Sequence, residues 1–509
     1  METLSALQLG TKQDFLLRLR CQQQRLSFEG EPQGFVGYVL DDQVCDDGVF
    51  VRWNYADGHF ELSTDRLGLY PVYYMQSEHE LLISNSVSMI QREQRLEVNT
   101  EAVGIFLRLG FYLGSDTAFR TLHRPTGKLT VSAGDSGIQV KVTRPEPTQV
   151  GYQHTTEKYQ QLMQQSLAYL REIKQPLYMP LTGGKDSRHI FLSLIRLNIQ
   201  PDLCYTVSVL APHYNDDVVI ARRLAELFAV PHQTLAPDYC LIQSEYTKNR
   251  QTNLETRDHS WAAPAADFFN QAPPGVLLDG FGGDVLSQSS VISAEMHQRY
   301  QQADWAGLIK AFLKDNRYFN GWLRKSHHPF IVDEGVLQQR LIAELRSFHQ
   351  ANNPMAQFFF WNRSRRSIAI SSIRYLSGQS TAFMPFMQKE MLEFLFTLPV
   401  ELYFSKAFHS NTISQLGGEA STLPFGGRDV LGGRLTQQQW RLMLSSFLSD
   451  LQANPVVSPG KKVKVALQAL SSWTDKPQLV RLLFSYRRVA YLRDVVSDQP
   501  EPELLEHLA

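Results

Sequence analysis

Between residues 30 and 145 the apolar positions fall in short β-branched or aromatic runs, at 35–40, 49–53, 69–74 and 81–83. Turn-forming clusters separate them: Asp41-Asp42, Asp46-Asp47-Gly48 and Ala56-Asp57-Gly58. That punctuation predicts a β-rich domain of stacked sheets. Around 141–154 the chain becomes polar and proline-bearing, as in Arg144-Pro145-Glu146-Pro147, and reads as a linker. From Thr155 the period changes, and Tyr159, Leu162, Met163, Leu167 and Leu170 share one helical face. A buried strand at 177–181, a glycine turn and an apolar helix at 188–197 follow. A second strand at 203–209 and a second helix at 216–228 come next. Asn215-Asp216-Asp217 suits the positive end of that helix. Strands alternating with helices predict a parallel sheet. Beyond about residue 290 the pattern is mostly helical.

With 509 residues the chain exceeds what one core usually organises, so two or three domains are expected. Apolar residues make up 43% and charged residues 20%, which excludes a disordered composition. A formal net charge of −1 leaves no global basic field, so nucleic acid is not an expected partner. No apolar run approaches the roughly 20 residues of a membrane span, and no membrane partner is expected. Cys21, Cys45, Cys204 and Cys240 are dispersed without a CxxC pair, which argues against thiolate zinc and a disulfide framework. The first residues carry no secretory pattern, and a cytoplasmic location is the simplest expectation.

The candidate chemistry lies in Leu181-Thr182-Gly183-Gly184-Lys185-Asp186-Ser187-Arg188, where a strand runs into two glycines and then a helix. Glycines let backbone N–H groups approach an anion, and a helix N-terminus favours negative charge. Thr182 and Ser187 add hydroxyls. Asp186 cannot contact phosphate directly, and makes sense as a ligand of Mg²⁺ bridging the phosphates. The spacing is not that of a GxxxxGK[ST] loop. An ordinary capped strand-to-helix turn is the bland alternative.

The loop resembles the SGGxDS segment of ATP-pyrophosphatases, with Thr182 in place of serine. Residues 276–286, with Asp279-Gly280-Phe281-Gly282-Gly283-Asp284, resemble the LSGxGGDEL segment of the asparagine synthetase-like amide ligases, with Asp279 and Val285 departing from it. The resemblance implies ATP and Mg²⁺ as cofactors, with Asp186 and Asp284 on the metal. It implies nucleotide contacts from Leu181, Thr182, Gly183, Gly184, Asp186, Ser187, Arg188, Val207, Ser208, Gly280 and Gly282. Residues 64–74, with Asp65-Arg66-Leu67-Gly68, together with 106–112 and Pro125-Thr126-Gly127, resemble the glutaminase domain that precedes such ligases. Arg365-Arg366 and 382–387 resemble the arginine-bearing helix and the PF turn of the family.

The fold class so implied is an α+β N-terminal stacked-sheet domain, N-terminal-nucleophile hydrolase-like. An α/β parallel-sheet ATP-pyrophosphatase domain with a helical C-terminal part follows. The expected divisions are 1–145, 155–480 and a C-terminal tail at 481–509. A working glutaminase carries cysteine at residue 2 with its α-amine as base. Here residue 2 is Glu2, and Arg52-Trp53-Asn54 lacks the glutamine-holding stretch, so no glutaminase activity is expected. Family members without that cysteine, the β-lactam, carbapenam and lasso-peptide macrolactam-forming enzymes, use an amine already on the substrate. The expected function is thus an AMP- and pyrophosphate-forming ligase closing a lactam or macrolactam. Its partner would be a small-molecule or peptide acid carrying an amine, with a precursor peptide as one form. For the base the candidates are Tyr375, Glu401 and Glu419, since Thr381 stands where a Tyr or Glu is expected. For an oxyanion-steadying lysine the candidate is Lys462, in the basic stretch 461–464. An ammonia-dependent asparagine synthetase and a non-catalytic nucleotide-binding regulator are the alternatives.

Overall fold

A computed structural model describes residues 7–40, 47–145, 151–210, 213–214, 216–288, 291–313, 320–416, 418–426, 430–431, 435–472 and 476–497. Glu2, Cys45 and Asn215 lie outside these residues. An antiparallel region comes first, a parallel five-stranded sheet follows, and the C-terminal part is helical.

The front region carries ten strands: β1 (Leu7–Leu9), β2 (Leu16–Gln22), β3 (Arg25–Glu29), β4 (Gln33–Leu40), β5 (Gly48–Ala56), β6 (His59–Thr64), β7 (Tyr73–Gln76), β8 (Glu80–Ser84), β9 (Lys128–Gly134) and β10 (Gly137–Thr143). They form a six-stranded sheet, β1-β4-β5-β6-β9-β10, and a four-stranded one, β3-β2-β8-β7. In β2 the residues Leu17 and Leu19 are buried while their neighbours are not, the period-2 alternation of a half-covered strand. The expected strand at 69–74 begins only at Tyr73. Asp65 explains the difference, because its carboxylate accepts the N–H groups of Leu67, Leu69 and Tyr70 at 2.9–3.0 Å. Those donors would otherwise serve a ladder, and the segment winds around the buried acid instead.

Strands β11 (Leu177–Pro180), β12 (Leu203–Val207), β13 (His213–Tyr214), β14 (His232–Leu235), β15 (Val276–Leu278), β16 (Thr381–Phe383) and β17 (Val430–Leu431) follow. The parallel sheet has the order β14-β12-β11-β15-β16, and β13 pairs with β17. The helices Thr156–Ala168, Lys185–Arg196 and Asp216–Leu227 lie where the periodicity puts them. Thr155 caps the first of these by accepting the Lys158 N–H at 3.1 Å. Residues 141–143, expected in a linker, complete β10.

The tail expected at 481–509 is corrected through Ser497. Helix Lys476–Ser497 crosses that boundary and buries Leu479, Leu483, Tyr486 and Ala490 at helical spacing.

Buried arginines join the two regions. Arg366 and Arg124 both bind the Glu255 carboxylate, all three side chains being 1% exposed. Arg366 also donates to the Gly114 carbonyl, and Arg365 to those of Leu67 and Gly68. The Arg365-Arg366 pair therefore works as a clamp between front and back.

Candidate functional site

The central strand β11 passes first to β12 and β14 on one side, and the chain then crosses to β15 and β16 on the other. At the carboxyl ends of β11 and β15 the connections therefore diverge, leaving a crevice at the switch point of the sheet. Both glycine segments emerge there. Asp186 stands in the first turn of helix Lys185–Arg196, and Asp284 in the short helix Gly283–Ser287.

These two acids meet. The Asp284 backbone N–H hydrogen-bonds the Asp186 carboxylate. A Cβ on Gly283 would fall 2.5 Å from Asp186 Oδ1, and one on Gly280 2.9 Å from Asp186 Cβ, so the second segment approaches this closely only as glycine. Gly282 sits at φ +90°, the left-handed region that glycine occupies without strain. Asp186 Oδ1 is buried and has no hydrogen-bond partner. Burial first, then Asp284 and Asp279, push the Asp186 carboxyl well above the ordinary range. An orphaned, repelled carboxylate oxygen beside a second carboxylate fits a divalent cation. Among the described residues no group of three or more His, Cys, Asp or Glu could hold a metal.

The hydroxyls of the loop are already arranged. Thr182 Oγ1 accepts the Gly184 N–H at 3.0 Å and lies 3.0 Å from Ser187 Oγ, which in turn accepts the Thr182 N–H at 3.2 Å. Threonine supplies the same hydroxyl as the serine of the resembled motif. Gly183 is engaged on both sides: its N–H donates to Asp217 Oδ1 at 2.8 Å, and its carbonyl accepts the Gly426 N–H at 2.8 Å. Asp217 thus presents a carboxylate to an N–H that a phosphate could take. Val207 closes β12 at its carboxyl end, and Ser208 follows, donating its N–H to the Leu235 carbonyl. Leu181 is fully buried and offers only its backbone.

Four expected residues have side chains engaged in other contacts. Arg188 is 1% exposed; its guanidinium donates to the carbonyls of Leu423 and Pro424 at 2.8 and 2.6 Å and stands over the Phe425 ring. It pins residues 423–426 across the loop rather than reaching for phosphate. Tyr375 packs against Ala263 and Ala266, its hydroxyl buried without a partner and its pKa raised chiefly by burial, which disfavours a base. Glu419 is exposed and pairs with Arg223 at 3.5 Å. Lys462 belongs to helix Pro459–Ser471 and donates to the Gln452 carbonyl at 2.5 Å. Lys461 in the same stretch stands over the Trp322 ring, so this basic segment packs on its own helical neighbourhood. Glu401 opens helix Val400–Ser405, and Thr381 is the first residue of β16.

Other residues occupy the site. Lys185 Nζ donates to Gln288 Oε1 at 2.8 Å and to the Lys406 carbonyl at 3.0 Å. Burial lowers its pKa, Asp186 opposes that, and Lys406 adds to it. Asp279 accepts the Phe281 N–H at 2.7 Å and the Ser372 hydroxyl, and burial raises its pKa. His409 Nε2 lies 3.2 Å from His189 Nδ1. Burial drives both imidazoles to the neutral form, His189 down to about 3. Lys185 stood inside the motif but was not among the expected contacts. Lys406 and His409 had no local signal, since a lone lysine or histidine on a helix reads as surface or core. Burial also pushes the Cys204 thiol up to about 12 and raises that of Cys240, so neither is a thiolate at neutral pH. No family model matches this chain, and no curated protein matches it.

Proposed function

We propose that this chain is an ATP-dependent ligase of the asparagine synthetase-like kind. In this reading it activates a carboxylate as its adenylate and closes an amide with an amine carried by the same substrate. One observation carries the reading: Asp186 and Asp284 converge at the switch point of a parallel sheet, with Asp186 Oδ1 buried and unpartnered. Asp186 and Asp284 are the residues that would hold Mg²⁺. Bound there, Mg²⁺ would neutralise the charge that develops on the leaving pyrophosphate.

The chain's own groups supply the rest. The N-terminus of the 12-residue helix Lys185–Arg196, the Lys185 ammonium and the Thr182 and Ser187 hydroxyls present positive charge and donors to a polyphosphate. A substrate carboxylate oxygen bonds the α-phosphorus as the bond to the β-phosphate bridge breaks, and pyrophosphate leaves. The amine nitrogen then bonds the acyl carbon, AMP departs with the acyl oxygen that bonded phosphorus, and the amine loses its proton. Holding the amine on the same bound molecule replaces a bimolecular encounter.

Pyrophosphate release, or exchange of labelled pyrophosphate into ATP, tests the reading. Asp186→Asn should lower either rate by about 100-fold, the scale of losing a main transition-state charge partner. Wild-type exchange in a folded Asp186→Asn protein would refute it. A second reading is a nucleotide-binding protein without turnover. ATP binding with no exchange for any acid would select it.

A further inference from the structure

We propose that the acid activated by this chain is amphipathic, a carboxylate on an extended alkyl or aryl body, and that it binds in a cavity of about 710 Å³ whose wall residue Lys406 is hydrogen-bonded to Lys185 of the nucleotide loop. This rests on the ligase reading and names its substrate class.

The cavity lies between the front and back regions. Phe111 comes from the front, and Met296, Phe312, Phe359 and Phe404 come from the back. Phe312 and Phe359 stack at 5.2 Å and 11°, and Phe111 meets Phe359 edge-on at 6.2 Å, so much of the wall is a connected aromatic surface. A volume of this size takes a ligand of many heavy atoms. Aspartate or another compact polar acid would leave those rings against water, whereas an alkyl or aryl body covers them and gains the free energy of their burial.

The charge around the cavity is asymmetric. Arg108, Arg363 and Lys406 line it, and Glu295 is the one acid among the described lining residues. Arg108 pairs with Glu334, Arg363 stands 3.7 Å from Asp258, and Glu295 binds Arg299 at 2.9 Å. Lys406 differs. Its backbone, at φ +56°, gives its carbonyl to Lys185 Nζ at 3.0 Å, which ties this cavity wall to the residue beside Asp186. Among the described residues no carboxylate pairs with its ammonium. Lys406 is therefore the lining residue that connects the cavity to the nucleotide loop. A carboxylate drawn to Lys406 would lie on the side of the cavity linked to Lys185, with its apolar body directed among the phenylalanines.

Calorimetric titration of the full chain tests this with decanoate, phenylhexanoate and aspartate as probes, each with and without Mg·ATP. Lys406→Glu reverses the charge, and Ala311→Trp fills the cavity from its wall. Decanoate and phenylhexanoate should bind at least about tenfold tighter than aspartate. Each variant should weaken them about tenfold, with Mg·ATP affinity of Ala311→Trp within about twofold of wild type. Thermal melting identifies a variant that has failed to fold, and the other variant then decides. Aspartate binding tighter than both probes, or probe affinity untouched in the folded variants, overturns the proposal. If Mg·ATP binds and the probes do not, the cavity assignment falls and the ligase reading stands. If the probes bind in a cavity-dependent way and Mg·ATP does not, the cavity ligand is supported and the ligase reading falls.

Discussion

His409 Nδ1 stands 3.6 Å from Asp186 Oδ1. The same nitrogen is 2.8 Å from Ser287 Oγ, whose proton goes to the Gly283 carbonyl at 2.5 Å. A hydroxyl has one proton, so His409 Nδ1 carries its own and Nε2 accepts from His189. Asp186 thus has a neutral ring packed beside it that does not compete as a cation. His409→Phe should raise the Mg²⁺ concentration needed for nucleotide binding about tenfold, the usual cost of losing an outer-shell partner. His409→Gln should recover most of it. A Mg²⁺ titration at fixed ATP measures both, and an unchanged midpoint in His409→Phe would remove His409 from the site.

Asp186 makes the metal-free fold pH-sensitive in a stated direction. Its folded pKa lies above the unfolded value, so the unfolded chain ionises first and stability falls as pH rises through that interval. Asp186→Asn should therefore melt a few °C above wild type at pH 7.5 without metal, and no higher near pH 4. Because a cation requires the ionised acid, Mg²⁺ should bind wild type more tightly at pH 7.5 than at pH 5.5, and stabilise Asp186→Asn at neither. Thermal melts with and without MgCl₂ at these pH values provide the check.

Glu255 sits between Arg124 and Arg366, and burial of all three makes the acid indispensable. Glu255→Gln leaves two buried guanidinium groups sharing a neutral amide. The expected loss is about 3–5 kcal/mol, read from denaturant midpoints. A loss below about 1 kcal/mol would contradict the clamp described above.

Arg188 holds residues 423–426 over Gly183 through two carbonyls. Arg188→Met keeps much of the packing on Phe425 and deletes the donors. Amide exchange at Gly426, whose N–H is bonded to the Gly183 carbonyl, should accelerate by about tenfold or more, as one or two charge-assisted bonds imply. Hydrogen-exchange mass spectrometry reports it, and unchanged protection would free Arg188 for another role.

What the chain could announce locally, it did. The helix from Thr156, the strand-glycine-acid-helix order at 177–196 and the alternation that makes a parallel sheet follow from residue periodicity, small residues at tight approaches and capping hydroxyls. Each is decided within a few residues of itself. The strand expected at 69–72 was lost to a single buried acid, Asp65, because a side-chain acceptor can outcompete a ladder. Tertiary structure alone decided that Asp186 meets Asp284, since that follows from β15 pairing beside β11. It also turned Arg188 toward Leu423, tied Lys462 to the Gln452 carbonyl, and brought Lys406 and His409 beside Lys185 and Asp186. Sheet order and helix docking set those distances, and they are sums over many remote burials that no short window of sequence contains.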